Sequence, residues 1–251
     1  YLSDSKVTKE LVEEGYQRSL KEIKASHILL MVDENATPED TLKAYNKIVE
    51  IRNRALKGED FGKLAAEFSQ DPSAKENKGD LGYFSSFRMV YAFESAAFKT
   101  PVGKISNPVR TRFGYHIIKV EDSRDNRGEV AVAHIMLLTP KDANADDKTK
   151  IKKNIDDIYQ KLQQGESFES LAKQFSEDKS SSSKGGVLSR FGSGQLSSEE
   201  FENTAFSLTK DKPLSAPFQT KFGWHIVKLI EKFTPRTFDE MKVELENKVS
   251  K

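Results

Sequence analysis

A repeat of about 107 residues constrains this sequence more than any other feature. Four blocks recur in the same order, the first three at an offset of 107 positions and the last at 109. A repeat of that length is domain-sized, so it predicts two tandem domains and not a solenoid. The matched blocks are Lys24–Leu30 with Ala131–Leu137, Gly58–Ala65 with Gly165–Ala172, Phe68–Asp71 with Phe175–Asp178, and Phe113–Lys119 with Phe222–Lys228.

Charge and composition exclude several classes of function. The 251 residues include 40 basic and 39 acidic side chains, which leaves no basic field for nucleic acid. Without cysteine, disulfides, thiolate nucleophiles and Cys-ligated zinc are excluded. The longest apolar run, Ile28–Val32, is far too short to span a bilayer. No signal peptide is visible, and because Tyr1–Asp4 leads directly into a helical pattern, we expect the sequence to be part of a longer protein.

Each copy predicts the same α+β order of elements. In the first copy, a strand at 24–32 precedes a long helix that Thr37 caps, Pro38 begins and Gly58 ends. A short helix follows with an apolar stripe, then a strand near 83–85, a helix over 90–98 and strands near 105–110 and 114–121. The predicted divisions are an N-terminal helical segment 1–23, domains 24–121 and 130–232, a linker 122–129 and a C-terminal helix in 233–251. The stripe consists of Phe61, Leu64, Ala65 and Phe68.

The two flanking helices have no counterpart within the repeat. Helices this short are marginal alone in water, so each apolar stripe needs a partner. Thr237 and Glu240 predict a capping box at the start of the C-terminal helix. We expect the two helices to form one client-holding module; the alternative is that each docks on its adjacent domain. The stripes are Leu11, Val12, Tyr16, Leu20 and Ile23, and Phe238, Met241, Leu245 and Val249.

All four histidines lie at repeat-equivalent positions, two in each copy: His27 and His116, then His134 and His225. Strand alternation turns each toward apolar neighbours, where a polar ring needs hydrogen-bond partners. They either tie the central strands together or act directly in catalysis. A zinc site would need Asp71 as a third ligand, and a hydrolase would need a nucleophile that is not seen, so both are disfavoured.

The complete ordered set of motifs resembles the parvulin family of peptidyl-prolyl isomerases. The resemblance covers residues 24–121 and, more loosely, 130–231; with the flanking helices it is similar to the SurA-like periplasmic chaperones of Gram-negative bacteria. It implies a small four-stranded mixed or antiparallel sheet surrounded by helices in each domain. The residues that carry it are His27-Ile28-Leu29, Phe61, Leu64-Ala65, Phe68-Ser69, Asp71, Gly79-Asp80-Leu81-Gly82-Tyr83-Phe84, Met89, Phe93, Ala97-Phe98 and Phe113-Gly114-Tyr115-His116-Ile117.

The resemblance assigns a role to each motif residue. In the first copy, Leu81, Met89 and Phe93 would form the wall of the proline pocket, with Phe113 nearby. Asp71 would face the isomerising bond, above the paired His27 and His116. The alternatives are that the three apolar residues are core and that Asp71 caps a turn before Pro72. The corresponding residues of the second copy are His134, Asp178 and His225 for catalysis, and Val187, Leu196, Phe201 and Phe222 for substrate binding.

Prolyl isomerisation requires neither a metal nor a cofactor, because no bond is broken. Its barrier of about 18–20 kcal/mol arises from amide resonance, which an apolar pocket weakens by desolvation. The second copy places Leu196 at the Met position and Val187 at the Leu position, and its polar loop Lys179–Gly186 looks flexible. We therefore expect the first domain to be the more active one.

The resemblance implies a periplasmic protein whose partners are unfolded or extended proline-containing polypeptides, outer-membrane and secreted precursors among them, and not nucleic acid. The acidic loop Asp33–Asp40 disfavours phosphorylated targets through like-charge repulsion. The alternative function is a non-catalytic holdase that uses the parvulin clefts only as peptide-docking sites.

Overall fold

The chain forms two compact units, each with one four-stranded sheet. The computed structural model describes residues 5–249, with side chains from residue 9 onward. The first unit comprises the chain up to Asn126 and from Arg236 onward, and the second is Arg127–Pro235. None of the helices within the described residues is long and apolar enough to cross a membrane.

The first unit contains an antiparallel sheet in the order β2-β1-β4-β3. The two long strands, β1 and β4, are its centre, and the short strands β2 and β3 are its edges. Helices connect the strands. The elements are α1 (Ser5–Ser19), β1 (Lys21–Met31), α2 (Pro38–Leu56), α3 (Phe61–Phe68), α4 (Ala74–Asn77), β2 (Asp80–Phe84), α5 (Tyr91–Lys99), β3 (Val109–Thr111), β4 (Gly114–Asp125) and α9 (Phe238–Val249).

The second unit repeats this plan with the order β6-β5-β8-β7. It has no counterpart of α1 or α9, and a single turn of 3-10 helix, Ser182–Lys184, stands in the place of α4. Its other elements are β5 (Glu129–Leu138), α6 (Ala145–Gln163), α7 (Phe168–Phe175), β6 (Phe191–Gly192), α8 (Glu199–Ser207), β7 (Phe218–Thr220) and β8 (Gly223–Phe233).

Both faces of each central strand pair are covered, which explains the nearly continuous apolar runs in β1 and β5. In the first unit, Ile28 and Ile117 pack against α2 and α3 on one face. Ile118 and Val120 pack around Phe93 of α5 on the other face. Because successive side chains point to opposite faces, this division places both histidines of a copy on the face that carries α5.

The predicted helix starts follow from local capping chemistry. The Thr37 hydroxyl accepts a hydrogen bond from the Asp40 amide, with Pro38 as the first helical residue. Asp60 caps α3 in the same way. At the start of α9, the Glu240 carboxylate accepts from the Thr237 amide, and the Thr237 hydroxyl accepts from the Glu240 amide at 3.4 Å. The predicted capping box is therefore present.

Two predicted boundaries differ from the structure where the start of β1 pairs with the end of β4. The N-terminal helix ends at Ser19, so Leu20 and Ile23 are not part of its stripe; Ile23 lies on β1 and is buried. Strand β4 continues through residues 122–125 of the predicted linker, which leaves only three residues, 126–128, before β5. The charged pattern of these segments conceals their pairing: Glu22 lies opposite Arg124 across the strands and forms an ion pair with it at 2.6 Å.

The C-terminal helix packs on α1. Met241 and Leu245 form an apolar cluster with Val12 of α1, and Tyr16, Phe87 and Phe238 border that cluster. This contact between the flanking helices is the one that a shared module requires; the client-holding role itself stays a prediction. Residues 250 and 251 of the predicted C-terminal range, and residues 1–4 of the predicted N-terminal segment, lie outside the described residues.

Leu245→Ala tests this packing. Leu245 is fully buried, so removal of its side chain should lower the stability of the first unit by about 2–5 kcal/mol. Hydrogen exchange should then show faster exchange of the α1 amides, with residues 127–235 unchanged. Val243→Ala is the matched control, because Val243 lies on the same helix and is 69% exposed. Unchanged α1 protection in Leu245→Ala would contradict the packing.

Candidate functional site

Antiparallel pairing of β1 and β4 brings His27 and His116 together on one face of the first sheet. His116 lies opposite Leu29, which places it diagonally across from His27. The two Nδ1 atoms are 3.2 Å apart, and the rings are stacked with an interplanar angle of 18°. Both side chains are buried. The predicted pair therefore exists, and it joins the two central strands by a direct hydrogen bond.

One assignment of protons satisfies every bond of this pair when both imidazoles are neutral. Asp71 Oδ2 can only accept, so His27 Nε2, 2.8 Å away, donates to it. His27 Nδ1 is then an acceptor, and His116 Nδ1 donates to it. His116 Nε2 accepts from the Thr111 hydroxyl at 2.8 Å, and that hydroxyl accepts from the Phe113 amide at 3.2 Å. A single directed chain thus runs from the β3–β4 turn to the carboxylate.

Asp71 both binds His27 and caps a turn, so the two alternatives for it are compatible. Its Oδ1 atom accepts from the amide and the hydroxyl of Ser73, while Oδ2 contacts His27. The preceding residues fix its loop to β1, because Gln70 donates to the Leu29 carbonyl and Ser69 accepts from the Leu29 amide. Burial by itself would raise the pKa of Asp71, but the bonds from Ser73 and His27 outweigh it and lower that pKa.

The neighbouring groups hold His116 neutral. Burial, followed by the proximity of His27, lowers the pKa of His116 from 6.5 to about 4. The Phe93 ring is nearly perpendicular to both imidazoles, at centroid distances of 5.6 Å to His27 and 5.3 Å to His116. Phe93 is itself buried, so it is core and histidine contact at once.

The remaining apolar residues predicted for the first site are more open. Leu81 and Met89 are half-buried against the Phe93 cluster. Phe113, at the turn between β3 and β4, is 49% exposed. An apolar wall that is half-buried without substrate is available to a proline ring, whereas a fully buried core would not be.

The second unit presents a cavity of about 300 Å³ beside its own histidines. His134 Nε2 is 2.6 Å from Asp178 Oδ2, and His225 Nε2 is 2.7 Å from the Thr220 hydroxyl. The cavity is lined by His134, Met136, Asp178, Leu188, Leu196, Ser197, Ser198, Phe201, Thr220, Phe222 and His225. All the predicted site residues of this copy except Val187 are therefore gathered around one cleft.

Leu188, and not Val187, corresponds to Leu81. Val187 bridges Ala133 as Asp80 pairs with Ser26, so Val187 is the equivalent of Asp80. It is 46% exposed and faces away from the cleft that Leu188 lines. Glycines fix this register: a Cβ atom at Gly79 or Gly186 would lie 2.4 or 2.2 Å from a backbone oxygen of β1 or β5. Counting two residues onward from each glycine would have identified Leu188 from the sequence.

The histidine chain is interrupted in the second unit. The His134 and His225 rings are 5.8 Å apart, compared with 5.4 Å in the first unit. Both Nδ1 atoms are buried and have no protein partner. Burial and the proximity of His134 lower the pKa of His225 to about 4. Phe218 stacks on His225 at 5.5 Å, where the first unit has Val109.

The loop after Asp178 is hydrogen-bonded, contrary to the expected flexibility. Both Asp178 oxygens accept from serine hydroxyls, Oδ1 from Ser180 and Oδ2 from Ser181, each at 2.6 Å. Burial opposes these bonds, but the pKa of Asp178 still falls far below its ordinary value. The serine-rich composition suggested a flexible loop, but two of these serines, Ser180 and Ser181, donate the hydrogen bonds that hold the loop to Asp178.

Three functional pairs were missed in the sequence, and each could have been found by comparing the copies. Thr111 and Thr220 bind the second histidine. Ser73 and Ser180 bind the carboxylate. Glu94 on α5 and Glu202 on α8 are buried carboxyl groups, each next to the phenylalanine that contacts the histidines, Phe93 or Phe201. No group of three potential metal ligands occurs among the side chains that the structure describes.

Comparison with known proteins agrees with this geometry. The family described as PPIC-type PPIASE domain matches residues 11–124 and again residues 134–231. This chain contains two PPIC-type PPIase domains in tandem. Its two units therefore belong to a family of prolyl isomerase domains, as their motifs predict.

Relatives of these PPIC-type domains include foldases and chaperones. Foldase protein PrsA of Geobacillus kaustophilus is 43% identical over 126 residues, 50% of this chain and 41% of that protein. Chaperone SurA of Pseudomonas aeruginosa is 34% identical over 214 residues, 84% of this chain and 50% of that protein. A crystal structure of the peptidylprolyl isomerase PrsA from Bacillus anthracis is 41% identical, covers 48% of each chain and has a TM-score of 0.39. The chain thus spans about half, or less, of the curated relatives.

The lowered histidine pKa values predict a specific dependence of stability on pH. The folded protein holds His116 and His225 neutral down to about pH 4, whereas the unfolded chain binds protons near its ordinary pKa of about 6.5. The unfolded state therefore binds more protons between these values. Stability should be complete above about pH 6.5 and fall toward pH 4, by on the order of 3 kcal/mol for each histidine.

Urea unfolding between pH 4 and 7.5 measures this dependence. His116→Asn should flatten the pH profile of the first unit, and His225→Asn that of the second. The lowered pKa values of Asp71 and Asp178 act in a separate window, because their contribution is lost only as pH falls below about 4. An unchanged slope above pH 4 in both variants would contradict the buried neutral state.

Proposed function

We propose that this chain accelerates cis/trans isomerisation of X-Pro bonds in unfolded or extended polypeptide segments. The observation that carries the proposal is the continuous bond chain from Thr111 to Asp71 beneath the half-buried Leu81 and Met89, in a domain of the PPIC-type family. An apolar wall suits the proline ring, and in the second unit the corresponding carboxylate, Asp178, lines the same cavity as Leu188 and Leu196.

The proposed mechanism weakens amide resonance. The planar amide carries negative charge on its oxygen, and this charge diminishes when the C–N bond twists. An apolar wall removes water that would stabilise the planar form. Asp71, placed near the carbonyl oxygen, would further destabilise that form by repulsion. A thousandfold acceleration requires only about 4 kcal/mol of preference for the twisted state.

The histidines act in this proposal as supports for Asp71 and not as proton donors to substrate. Each ring nitrogen of the first pair is already engaged by Asp71, Thr111 or the other histidine. Hydrogen bonds on both oxygens keep Asp71 ionised and fix its direction. The structural and catalytic interpretations of the pair therefore merge.

We propose that the substrates are not phosphorylated. Asp33, Glu34, Glu39 and Asp40 are all exposed in the loop after β1 and the first turn of α2. The nearby guanidinium of Arg110 donates to the carbonyls of Val32, Asp33 and Thr111. Repulsion by these carboxylates disfavours a phosphate beside the loop after β1. Arg110 is already hydrogen-bonded to backbone carbonyls and is therefore less available to bind one.

Clients and location follow from the resemblance to SurA-like chaperones. We propose that the protein acts in the periplasm on unfolded precursors destined for the outer membrane or for secretion. Release of the protein by osmotic shock would test the location, and co-purification of precursor chains would test the clients. The alternative, a non-catalytic holdase, predicts binding of prolyl peptides without any acceleration of their isomerisation.

Met89→Ala tests the isomerase proposal. The full chain should accelerate isomerisation of an unphosphorylated X-Pro peptide, and phosphoserine before proline should reduce that activity. Shortening Met89 should lower kcat/KM by about tenfold, which corresponds to ~1.4 kcal/mol of lost contact. Exchange spectroscopy on the peptide measures the rate.

Met31→Ala is the matched control, because Met31 is exposed at the end of β1. It should leave the rate unchanged. A folded wild-type chain that binds the peptide but leaves its exchange rate at the buffer value would replace the isomerase proposal with the holdase.

Asp71→Asn and Asp178→Asn, each in the full chain, compare the two domains. We predict that the first domain is at least about tenfold more active, because its histidine chain is continuous. Asp71→Asn should then remove about nine-tenths of the activity, while Asp178→Asn removes little. Leu196→Met in the Asp71→Asn background should recover part of the loss. Equal losses in the two single variants would show that the interrupted chain does not limit the second domain.

A further inference from the structure

The loop between β2 and α5, residues 85–90, carries Met89 of the apolar wall, and we call it the rim of the first site. One of its residues has a strained backbone and contacts the flanking helices. Phe87, between β2 and α5, has φ of +63°. A bulky residue adopts this left-handed conformation only when its surroundings impose it. The corresponding rim loop of the second unit has glycine, Gly194, at φ of +78°. Only the first rim therefore carries a side chain that must be held in place.

The α1–α9 pair holds that side chain. The Phe87 ring lies against the buried cluster of Val12, Met241 and Leu245. It sits so close to α1 that a Cβ atom on Gly15 would be 2.7 Å from its Cζ atom. From α9, the Lys248 ammonium lies 4.8 Å from the ring centroid. Both helices thus grip one residue of the rim.

A buried carboxylate adds a second connection between helix and rim. Glu94 Oε2 accepts from the Phe87 amide at 2.7 Å, and Glu94 Oε1 accepts from Arg18 of α1 at 3.0 Å. Arg18 is buried and also binds Ser95 of α5. Glu94 adjoins Phe93, whose ring contacts both histidines. Through Glu94, the end of α1 is therefore linked both to the loop that carries Phe87 and to the helix that carries Phe93.

The second unit shows what this carboxylate does without flanking helices. Glu202, the equivalent of Glu94, accepts from the amides of Gly194 and Leu196 at 3.0 and 2.9 Å. Both of its oxygens hold its own rim. In the first unit, one Glu94 oxygen accepts from the Phe87 amide of the rim, and the other accepts from Arg18 of α1. The rim of the first site therefore depends on the helix pair for part of its support.

We propose that Phe87 is a positioning residue through which the α1–α9 pair sets the place of Met89, and hence the affinity of the first site for proline. Met89 is two residues from Phe87 and forms part of the apolar wall. The inference rests on the proposed isomerase function of that wall. By linkage, a prolyl peptide in the cleft and any ligand of the helix pair change each other's affinity by the same factor.

Two variants of the full chain test this connection from opposite sides. Phe87→Ala keeps the left-handed residue but removes the ring from the helix pair. Gly15→Ala inserts a methyl group where the ring lies. Each should raise KM for an X-Pro peptide by about fivefold, the lower end of typical site-to-site coupling. Because Asp71 and the histidines are untouched, kcat should change less than about twofold.

Methyl NMR gives a readout that simple loss of stability would not reproduce. The chain has four methionines: Met89 at the rim, Met241 in the helix pair, Met31 exposed on β1 and Met136 in the second cleft. In both variants the Met89 and Met241 signals should shift, while Met31 and Met136 should not. Phe87→Leu, which restores an apolar side chain, should recover part of the KM. Gly62→Ala in α3 is the matched helical control and should leave both readouts unchanged.

Three outcomes decide between the interpretations. Shifts of Met89 and Met241 together with the raised KM support the positioning role. A shift of Met241 without a change in Met89 or KM would overturn it, because the helix pair would then move independently of the rim. If the wild-type chain shows no catalysis, the isomerase proposal fails, but peptide affinity and the Met89 signal still judge the connection. Circular dichroism verifies folding, and Gly15→Ala alone decides if Phe87→Ala does not fold.

Discussion

Antiparallel pairing of the two long central strands is the interaction on which each site depends. Strands β1 and β4 are separated by more than eighty residues of chain, and so are β5 and β8. Their pairing places one histidine from each strand on the face that carries the central phenylalanine. The carboxylate then reaches the first histidine from a loop that is itself bonded to the first strand. Any loss of register would separate all three groups at once.

Burial gives these polar groups their properties. The second imidazole of each pair, His116 or His225, is held neutral because charging it would cost desolvation energy. The carboxylate stays ionised because several donors face it. A neutral histidine and an ionised aspartate contribute to a fixed support. Such a support suits a reaction that twists a bond and breaks none.

Duplication let the two copies diverge around a common frame. The buried glutamate of the central helix holds the rim in both, yet in the first copy it shares its bonds between the rim and α1. The second copy has a glycine, Gly194, at the position of Phe87, and two serine hydroxyls that donate to Asp178. The same fold thus yields one site whose buried glutamate also binds α1, and one whose buried glutamate binds two amides of its own loop.

From the sequence one can predict the two-domain organisation, the α+β class and most members of each candidate site, because repeat spacing, alternation and capping are visible as patterns in the chain. The sequence predicted all four histidines, both aspartates and the apolar residues except Met136 and Leu188. The register of Leu188 depends on a glycine packed against the neighbouring strand. The folded structure was needed to show that residues 122–125 pair with the start of β1, that the histidine chain closes only in the first copy and that Phe87 packs against the α1–α9 pair. These features depend on contacts between residues that are distant in the chain. The local sequence around a residue does not indicate which distant group it will bind or pack against.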